Sequence, residues 1–299
     1  MKNPKRLLLL FLKIVLLMTL LWWFFYRENN TLELSVDEVH LQELPATLDG
    51  LRIIHLSDLH SKWFGPDQHN LVAMIEKQKP HAVVITGDEV DVRSKDEQPV
   101  LTLIRRISPI APVLHVAGNH ETQLPDREGY LERVRQAGAQ VLESDSVIVP
   151  LKGGEVVFVG LADRGQRLVR QEALEVEAKK AFAGVKPGSF VVLLAHRPEL
   201  FPHYALLPVN LIFSGHAHGG QIRLPWIGGL YAPGQGLFPR FDSGVYRNKA
   251  AGNDAAGPAP EPGPMSGPIM IISRGLGNSV FPQRLFNRPD VRLVILKKE

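Results

Sequence analysis

Arg52-Ile53-Ile54-His55-Leu56-Ser57-Asp58-Leu59-His60 is an apolar run that ends in two side chains able to hold a metal ion. The pattern recurs four more times along the chain. Residues 82–86 lead into Gly87-Asp88-Glu89-Val90-Asp91, residues 113–116 into Gly118-Asn119-His120-Glu121, residues 190–194 into Ala195-His196, and residues 211–213 into Gly215-His216-Ala217-His218. Each apolar run reads as a buried strand. The polar groups therefore fall at the C-terminal ends of strands, the edge where open α/β sheets build their sites because strands fix positions and loops leave room.

Carboxylate, carboxamide and imidazole donors without thiolates suit divalent cations, and a pair of cations needs a carboxylate that can bridge them. Taken singly, none of these segments is specific. An Asp-x-His or His-x-His step often lies on an ordinary sheet or turn, and Gly-Asp and Gly-Asn are common turn dipeptides. The ordered set of five, each at a strand end, points to a metal-dependent hydrolase with phosphate chemistry.

That order of motifs resembles the calcineurin-like metallophosphoesterase superfamily. The run 215–233, together with Ser273-Arg274-Gly275-Leu276-Gly277-Asn278-Ser279 and Asn287-Arg288-Pro289, resembles its membrane-associated bacterial branch. The resemblance covers residue 51 to the C-terminus. It implies an α/β fold: a four-layer α-β-β-α sandwich of two mixed sheets packed face to face with flanking helices. It also implies two divalent metal ions (Mn, Fe or Zn), one held by Asp58, His60, Asp88 and His218 and the other by Asp88, Asn119, His196 and His216. Asp88 would bridge them. A metal-bridged hydroxide would then attack phosphorus, so no side-chain nucleophile is needed. His120 would face the substrate as the catalytic residue that stabilises the transition state or protonates the leaving oxygen.

Neighbouring residues carry weaker readings. Asp91 reads as a residue that orients a ligand. Glu121 is either such a residue or the polar start of the next loop. Arg197 and Arg274 either contact a substrate phosphate or, for Arg197, are solvated ahead of Pro198, which reads as the first position of a short helix. Gly219 and Gly220 let backbone pass close beside the metals. His40, His55, His69, His81, His115 and His203 lie outside the motifs, and His55 and His115, inside strand-like runs, read as satisfied core residues.

The N-terminus carries a second message. Residues 7–26 are apolar except for Lys13 and Thr19, and as a helix this run would be about 30 Å long, the thickness of the hydrocarbon core. Trp22, Trp23, Phe24, Phe25 and Tyr26 gather at one end, as suits a membrane interface. Lys2, Lys5 and Arg6 precede the run, while Glu28, Glu33, Asp37 and Glu38 follow it. The positive-inside rule then leaves the N-terminus in the cytoplasm and places the catalytic domain outside a bacterial cytoplasmic membrane. Lys13 can snorkel to the near headgroups. A removable signal peptide is the rival, but no small-residue cleavage site follows Tyr26; a third reading is a shallow anchor with a cytoplasmic enzyme domain.

The formal charge is +3. Lys2, Lys5, Arg6 and Lys13 supply four positive charges, which leaves the rest at −1 and gives no basic surface for nucleic acid. Absence of cysteine excludes disulfides and thiolate ligands. The expected organisation is an anchor at 1–28 and one metallophosphoesterase domain at 29–299. An edge strand is expected at 32–41, helices at 67–78, 97–107, 127–136 and 169–183, and strands within 140–149, 156–161, 269–273 and 291–296. Residues 248–268, rich in Gly, Ala and Pro, read as a flexible surface loop. Three functions fit: a membrane-tethered hydrolase of a lipid-linked phosphate or pyrophosphate, a broad-specificity exported phosphodiesterase or phosphomonoesterase, and a non-catalytic metal-binding scaffold. The third is disfavoured because all seven ligand positions and His120 are present.

Overall fold

The computed structural model describes residues 4–165, 171–247, 267–279 and 281–299. The segment 248–266, most of the stretch read as a surface loop, lies outside the described residues, as do 169–170 at the start of an expected helix.

The chain runs α1 (Pro4–Asn30), β1 (Glu33–Leu41), β2 (Leu51–Leu56), α2 (His69–Lys77), β3 (Ala82–Ile85), α3 (Gln98–Ile107), β4 (Val113–His115), α4 (Arg127–Gln136), β5 (Ala139–Val141), β6 (Asp145–Leu151), β7 (Gly154–Leu161), α5 (Gln171–Ala181), β8 (Val191–Ala195), α6 (Phe201–Tyr204) and β9 (Leu211–Ser214). Two short ribbons follow, β10 (Arg223–Leu224) with β11 (Gly228–Gly229) and β12 (Tyr231–Ala232) with β13 (Gly236–Leu237). β14 (Gly244–Arg247), β15 (Ile269–Ile272) and β16 (Asp290–Lys298) close the fold.

Two six-stranded mixed sheets result, in the orders β1-β16-β2-β3-β4-β5 and β14-β15-β9-β8-β7-β6. β2, β3, β4 and β5 pair in parallel in one sheet, and β7, β8, β9 and β15 in the other. β1 is an edge strand, as its alternating sequence leads one to expect, and the stretch 140–149 divides between the sheets, because Ser144 near its middle takes a positive φ of 61° and turns the chain from β5 into β6.

Side chains alternate across each strand, so neighbouring residues serve different cores. Ile53, Val84 and Leu114 of the first sheet pack with Phe158, Val192, Leu194 and Phe213 of the second in a single buried cluster, which puts the sheets face to face. Ile54, Val83, Ile85 and Val113 point the other way, onto α2, α3 and α4. The outer face of the second sheet, with Val159, Leu193 and Ile212, is covered by α5 and α6 through Leu174, Ala178, Phe201 and Tyr204. The layers are thus helix, sheet, sheet, helix. Truncating a fully buried isoleucine such as Ile53 in this double core costs about 2–5 kcal/mol.

α1 is long and apolar enough to cross a membrane, and its apolar run is solvent-exposed. Its last turn is docked on the domain: the buried Glu28 carboxylate accepts hydrogen bonds from Arg288 Nε at 3.0 Å and from the Asn287 backbone N–H at 3.3 Å.

Candidate metal centre

The C-terminal ends of β2, β3, β4, β8 and β9 converge, and each carries one motif. A strand cannot turn sharply and still aim the next side chain into a cleft unless the backbone leaves the extended region. Asp58, His60, Asp88, His216 and His218 all have positive φ, between 47° and 63°. For residues other than glycine this costs about 1–2 kcal/mol each. Five such residues at one place mark a built site, since strained backbone persists only where the surroundings dictate it. Gly87 and Gly118 make the close approach possible. A Cβ on Gly118 would lie 2.3 Å from Asp88 Oδ1, and one on Gly87 would lie 2.4 Å from the Gly118 nitrogen.

The side chains form two buried triads, Asp58–His60–His218 and Asp88–His196–His216, in each of which the potential ligand atoms lie within 4.8 Å of one another. Within them His60 Nε2 and His218 Nε2 approach to 3.2 Å, as do His216 Nδ1 and His196 Nε2, while Asp88 Oδ2 lies 3.3 Å from His196 Nε2. His196 Nδ1 donates to the Thr86 carbonyl at 2.6 Å, which leaves its Nε2 lone pair aimed at the cleft. His216 and His218, two residues apart on one loop, fall in different triads, and the His216 backbone N–H donates to both Asp58 oxygens at 3.1 Å. The triads are therefore adjacent.

Asn119 Oδ1 is buried and has no hydrogen-bond partner among the described residues. Its neighbour His120 sends its backbone N–H to Asp88 Oδ1 at 2.8 Å, and His120 Nε2 stands 3.9 Å from Asp88 Oδ2. A third grouping, His60, Asp91 and His120, shares the same cleft. Asp91 lies 3.8 Å from His60 Nδ1, while its oxygens also bind Arg93 at 3.0 and 3.1 Å. At 3.8 Å it makes no hydrogen bond to His60 Nδ1, which is buried without a partner among the described residues.

The electrostatics call for cations. Burial, reinforced by Asp88 and opposed by His196, raises the Asp58 carboxyl to about 7, and burial lowers His60 to about 3. Burial and then the neighbouring carboxylates Glu89 and Asp88 lift Glu121 to about 8. So many acidic groups in one dry space cannot all ionise alone; divalent ions would supply the missing charge. Nitrogen and oxygen donors aimed at one another, with an orphaned carboxamide oxygen beside them, fit two such ions.

Beneath the triads sits a layer that sequence reasoning only half resolved. Glu121, left open between two readings, is fully buried, and its carboxylate accepts backbone N–H groups from Gly118, Asp88 and Val90 at 2.8, 2.9 and 3.0 Å. His115 Nε2 lies 3.0 Å from Glu89 Oε2. Burial pushes His115 down to about 4 and Glu89 up, so this contact is a neutral hydrogen bond rather than an ion pair. His55 Nε2 meets the Thr86 hydroxyl at 2.8 Å, and burial lowers it to about 3. The expectation of satisfied core histidines holds for one ring nitrogen of each: Nδ1 of both His55 and His115 is buried without a partner among the described residues.

Both arginines are held by carboxylates. Arg197 is not merely solvated: its Nε is 2.7 Å from Asp163, and Glu199 is 3.4 Å from its Nη1. Arg274 pairs with Glu33 at 3.1 Å and Asp290 at 3.3 Å. Asn287 was missed as a positioning residue; its Nδ2 donates to the His218 carbonyl at 2.8 Å and the Gln221 carbonyl at 3.1 Å. Only its place in the Asn-Arg-Pro motif hinted at this. Gly219 and Gly220 serve packing, since a Cβ on Gly220 would come within 2.2 Å of the Gly229 Cα and one on Gly219 within 2.5 Å of Asn287 Oδ1.

Comparison with known proteins agrees with this geometry. The chain is 25% identical over 274 residues to the uncharacterized metallophosphoesterase YkuE of Bacillus subtilis, covering 90% of this chain and 87% of that one. It is 26% identical to a transmembrane protein with metallophosphoesterase domain from Danio rerio, over 87% of this chain but 56% of that longer protein. It is also 26% identical to the UDP-2,3-diacylglucosamine pyrophosphatase LpxG of Chlamydia trachomatis, with 84% and 85% covered. The calcineurin-like phosphoesterase family model matches residues 51–220, which is more than half of the chain and spans all five motifs. The chain belongs to the calcineurin-like phosphoesterase family and is a metallophosphoesterase.

Proposed function

We propose that this chain is a two-cation phosphoester hydrolase tethered to the bacterial cytoplasmic membrane, acting on a phosphate or pyrophosphate carried by a lipid. Asp58, His60 and His218 would hold one cation, His196, His216 and Asn119 the other, and Asp88 both. Residues 1–28 would form the anchor and 29–299 the enzyme domain, with the N-terminus in the cytoplasm and the catalytic domain outside. The observation that carries the reading is the adjacency of the two buried triads, each with a strained backbone and with its potential ligand atoms within 4.8 Å of one another.

When bound, a pair of divalent ions supplies Lewis acidity toward the phosphoryl oxygens and a water acidified toward neutrality. The protein's own groups do the rest. Asp88 has one oxygen fixed by the His120 N–H, and its second oxygen lies 3.3 Å from His196 Nε2, where it would be shared between the two cations. Val92 N–H donates to His120 Nδ1 at 3.1 Å, which places the proton of the neutral ring on Nε2, on the Asp88 side. That Nε2–H would donate a hydrogen bond to the departing oxygen and stabilise the charge that develops on it in the transition state. The lipid-borne substrate is supported by the apolar helix docked beside the site and by likeness to a pyrophosphatase whose name specifies a diacylated sugar nucleotide.

The test is hydrolysis of a chromogenic phosphodiester by the full chain with added Mn²⁺. Activity lost in Asp88→Ala supports the reading, and wild-type inactivity with cations bound would leave a scaffold. A topology reporter fused after Glu299 would overturn the proposed orientation if it reports from the cytoplasm.

A further inference from the structure

A band of large apolar side chains lies beside the docked end of α1. Trp226 and Ile227 occupy the turn between β10 and β11, Leu237 and Phe238 lie at the end of the second ribbon, and Phe281 and Phe286 belong to the segment that receives α1. All six are exposed, Trp226 completely and Leu237 to 67%. Contiguous apolar exposure of this kind marks an interaction surface.

The ribbons and the receiving segment form one hydrogen-bonded assembly. Ile222 bridges Leu285, and Arg223 N–H donates to the Leu285 carbonyl at 2.9 Å. Leu230 N–H donates to Ile222 at 2.8 Å and Phe238 N–H to Leu230 at 2.9 Å. This assembly is fixed to the helix. Gln283 Nε2 donates to the Phe25 carbonyl at 3.1 Å, Arg284 N–H to Asn29 Oδ1 at 2.8 Å, and the Phe24 and Phe286 rings meet at 5.9 Å.

Phe24 and Phe25 are inside the apolar run 7–26. At 1.5 Å per residue, Asn29 lies only about 4.5 Å beyond Tyr26 along the helix axis. The receiving segment therefore sits within one helical turn of the end of the run. If that run fills the hydrocarbon, the exposed side chains beside it meet the bilayer at the depth of the headgroups. A second contact agrees: the Lys62 ammonium donates to the Asn29 carbonyl, and its neighbour Trp63 is exposed.

We propose that this rim is a second membrane attachment, inserted into the headgroup and upper acyl region of the bilayer that α1 crosses. It rests on the reading of α1 as a membrane span. Aromatic side chains favour that zone. The ribbon that carries Trp226 begins at Arg223, five residues after His218, and Asn287 ties the His218 and Gln221 carbonyls to the receiving segment. Insertion thus holds the metal-site loop against the membrane face, so a headgroup phosphate can reach the cleft without its lipid leaving the bilayer.

The chain lacks cysteine, so single-cysteine variants report one position each. The full chain carrying Trp226→Cys, Phe238→Cys, Leu16→Cys or Val176→Cys is spin-labelled in nanodiscs of phosphatidylethanolamine and phosphatidylglycerol. Collision rates with oxygen and with a water-soluble nickel chelate are then compared. The expected result is oxygen-dominated relaxation at 16, 226 and 238, and nickel-dominated relaxation at 176 on α5. Nickel-dominated relaxation at 226 and 238 with 16 still in lipid overturns the rim alone. Nickel-dominated relaxation at 16 overturns the span and the rim together. Shielding of 226 and 238 from both reagents, with spin–spin broadening, would seat a second copy of the chain on the rim and overturn the lipid assignment.

Discussion

Glu121 Oε2 accepts the Asp88 backbone N–H at 2.9 Å and the Gly118 N–H at 2.8 Å, binding together the loops after β3 and β4. Asp88 has a positive φ of 58° and belongs to the buried triad with His196 and His216. The buried carboxylate is what keeps that strained backbone in place. Glu121→Gln keeps the shape but replaces one acceptor oxygen by an NH2 group that faces N–H donors. We predict roughly a 10–100-fold loss of metal affinity, the usual effect of altering a group that orients ligands. Calorimetric Mn²⁺ titration measures it, and unchanged affinity would remove Glu121 from the site's support.

His120 is a different case. It stands 3.9 Å from Asp88 Oδ2 and takes a backbone N–H on its other nitrogen, so the proposal gives its Nε2–H to the developing charge on the departing oxygen and gives it no metal. His120→Ala should lower kcat by about 10²–10³-fold, as for loss of a hydrogen-bond donor to transition-state charge, with metal content by elemental analysis almost unchanged. A variant that loses metal would make His120 a ligand instead.

The five strand ends and their ligand-type residues were legible because periodicity and chemistry coincide: an apolar run buried on both faces ends where the first polar side chains appear. The edge strand β1 was legible from its alternation. What the sequence hid was partnership. Nothing local shows that Arg197 meets Asp163, 34 residues away, or that Arg274 meets Asp290 and Glu33. Each arginine looked available for phosphate because its carboxylate lies far off in sequence. Glu121 stayed ambiguous for the same reason, since its backbone donors come from two loops that only the sheet brings together. The split of 140–149 between two sheets turns on one left-handed residue, Ser144, in a stretch whose strand propensity is otherwise continuous.

Asp290 gives the fold a definite acid limit. It is fully buried, accepts Ser35 Oγ at 2.6 Å and Arg292 Nε at 3.2 Å, and has Arg274 Nη2 at 3.3 Å. Burial opposes its ionisation, but Arg292 and Arg274 prevail and hold the carboxyl down at about 2. Because the folded value lies below the unfolded value near 3.9, the contribution is fully present above about pH 4 and is lost as pH falls through 2. It amounts to roughly 2–3 kcal/mol. Asp290→Asn should lower stability at neutral pH and flatten the dependence between pH 4 and 2. Urea unfolding at several pH values reads both, and equal slopes in the two proteins would contradict the assignment.

Cation binding should be visible as stability, independent of turnover. The unfolded chain cannot assemble Asp58, His60, Asp88, Asn119, His196, His216 and His218, which span 160 residues from first to last, so ions that bind only the folded site shift the equilibrium toward it. At a free concentration ~100 times Kd, one site adds about 2.7 kcal/mol. A chelator should therefore lower Tm, and Mn²⁺ should restore it in a concentration-dependent way. Asp88→Ala removes the shared ligand and should abolish that response, and it should also lower the metal-free Tm, because it leaves His196 buried without the carboxylate oxygen 3.3 Å from its Nε2. A Tm that ignores both chelator and Mn²⁺ in the wild type would show that the triads do not bind cations.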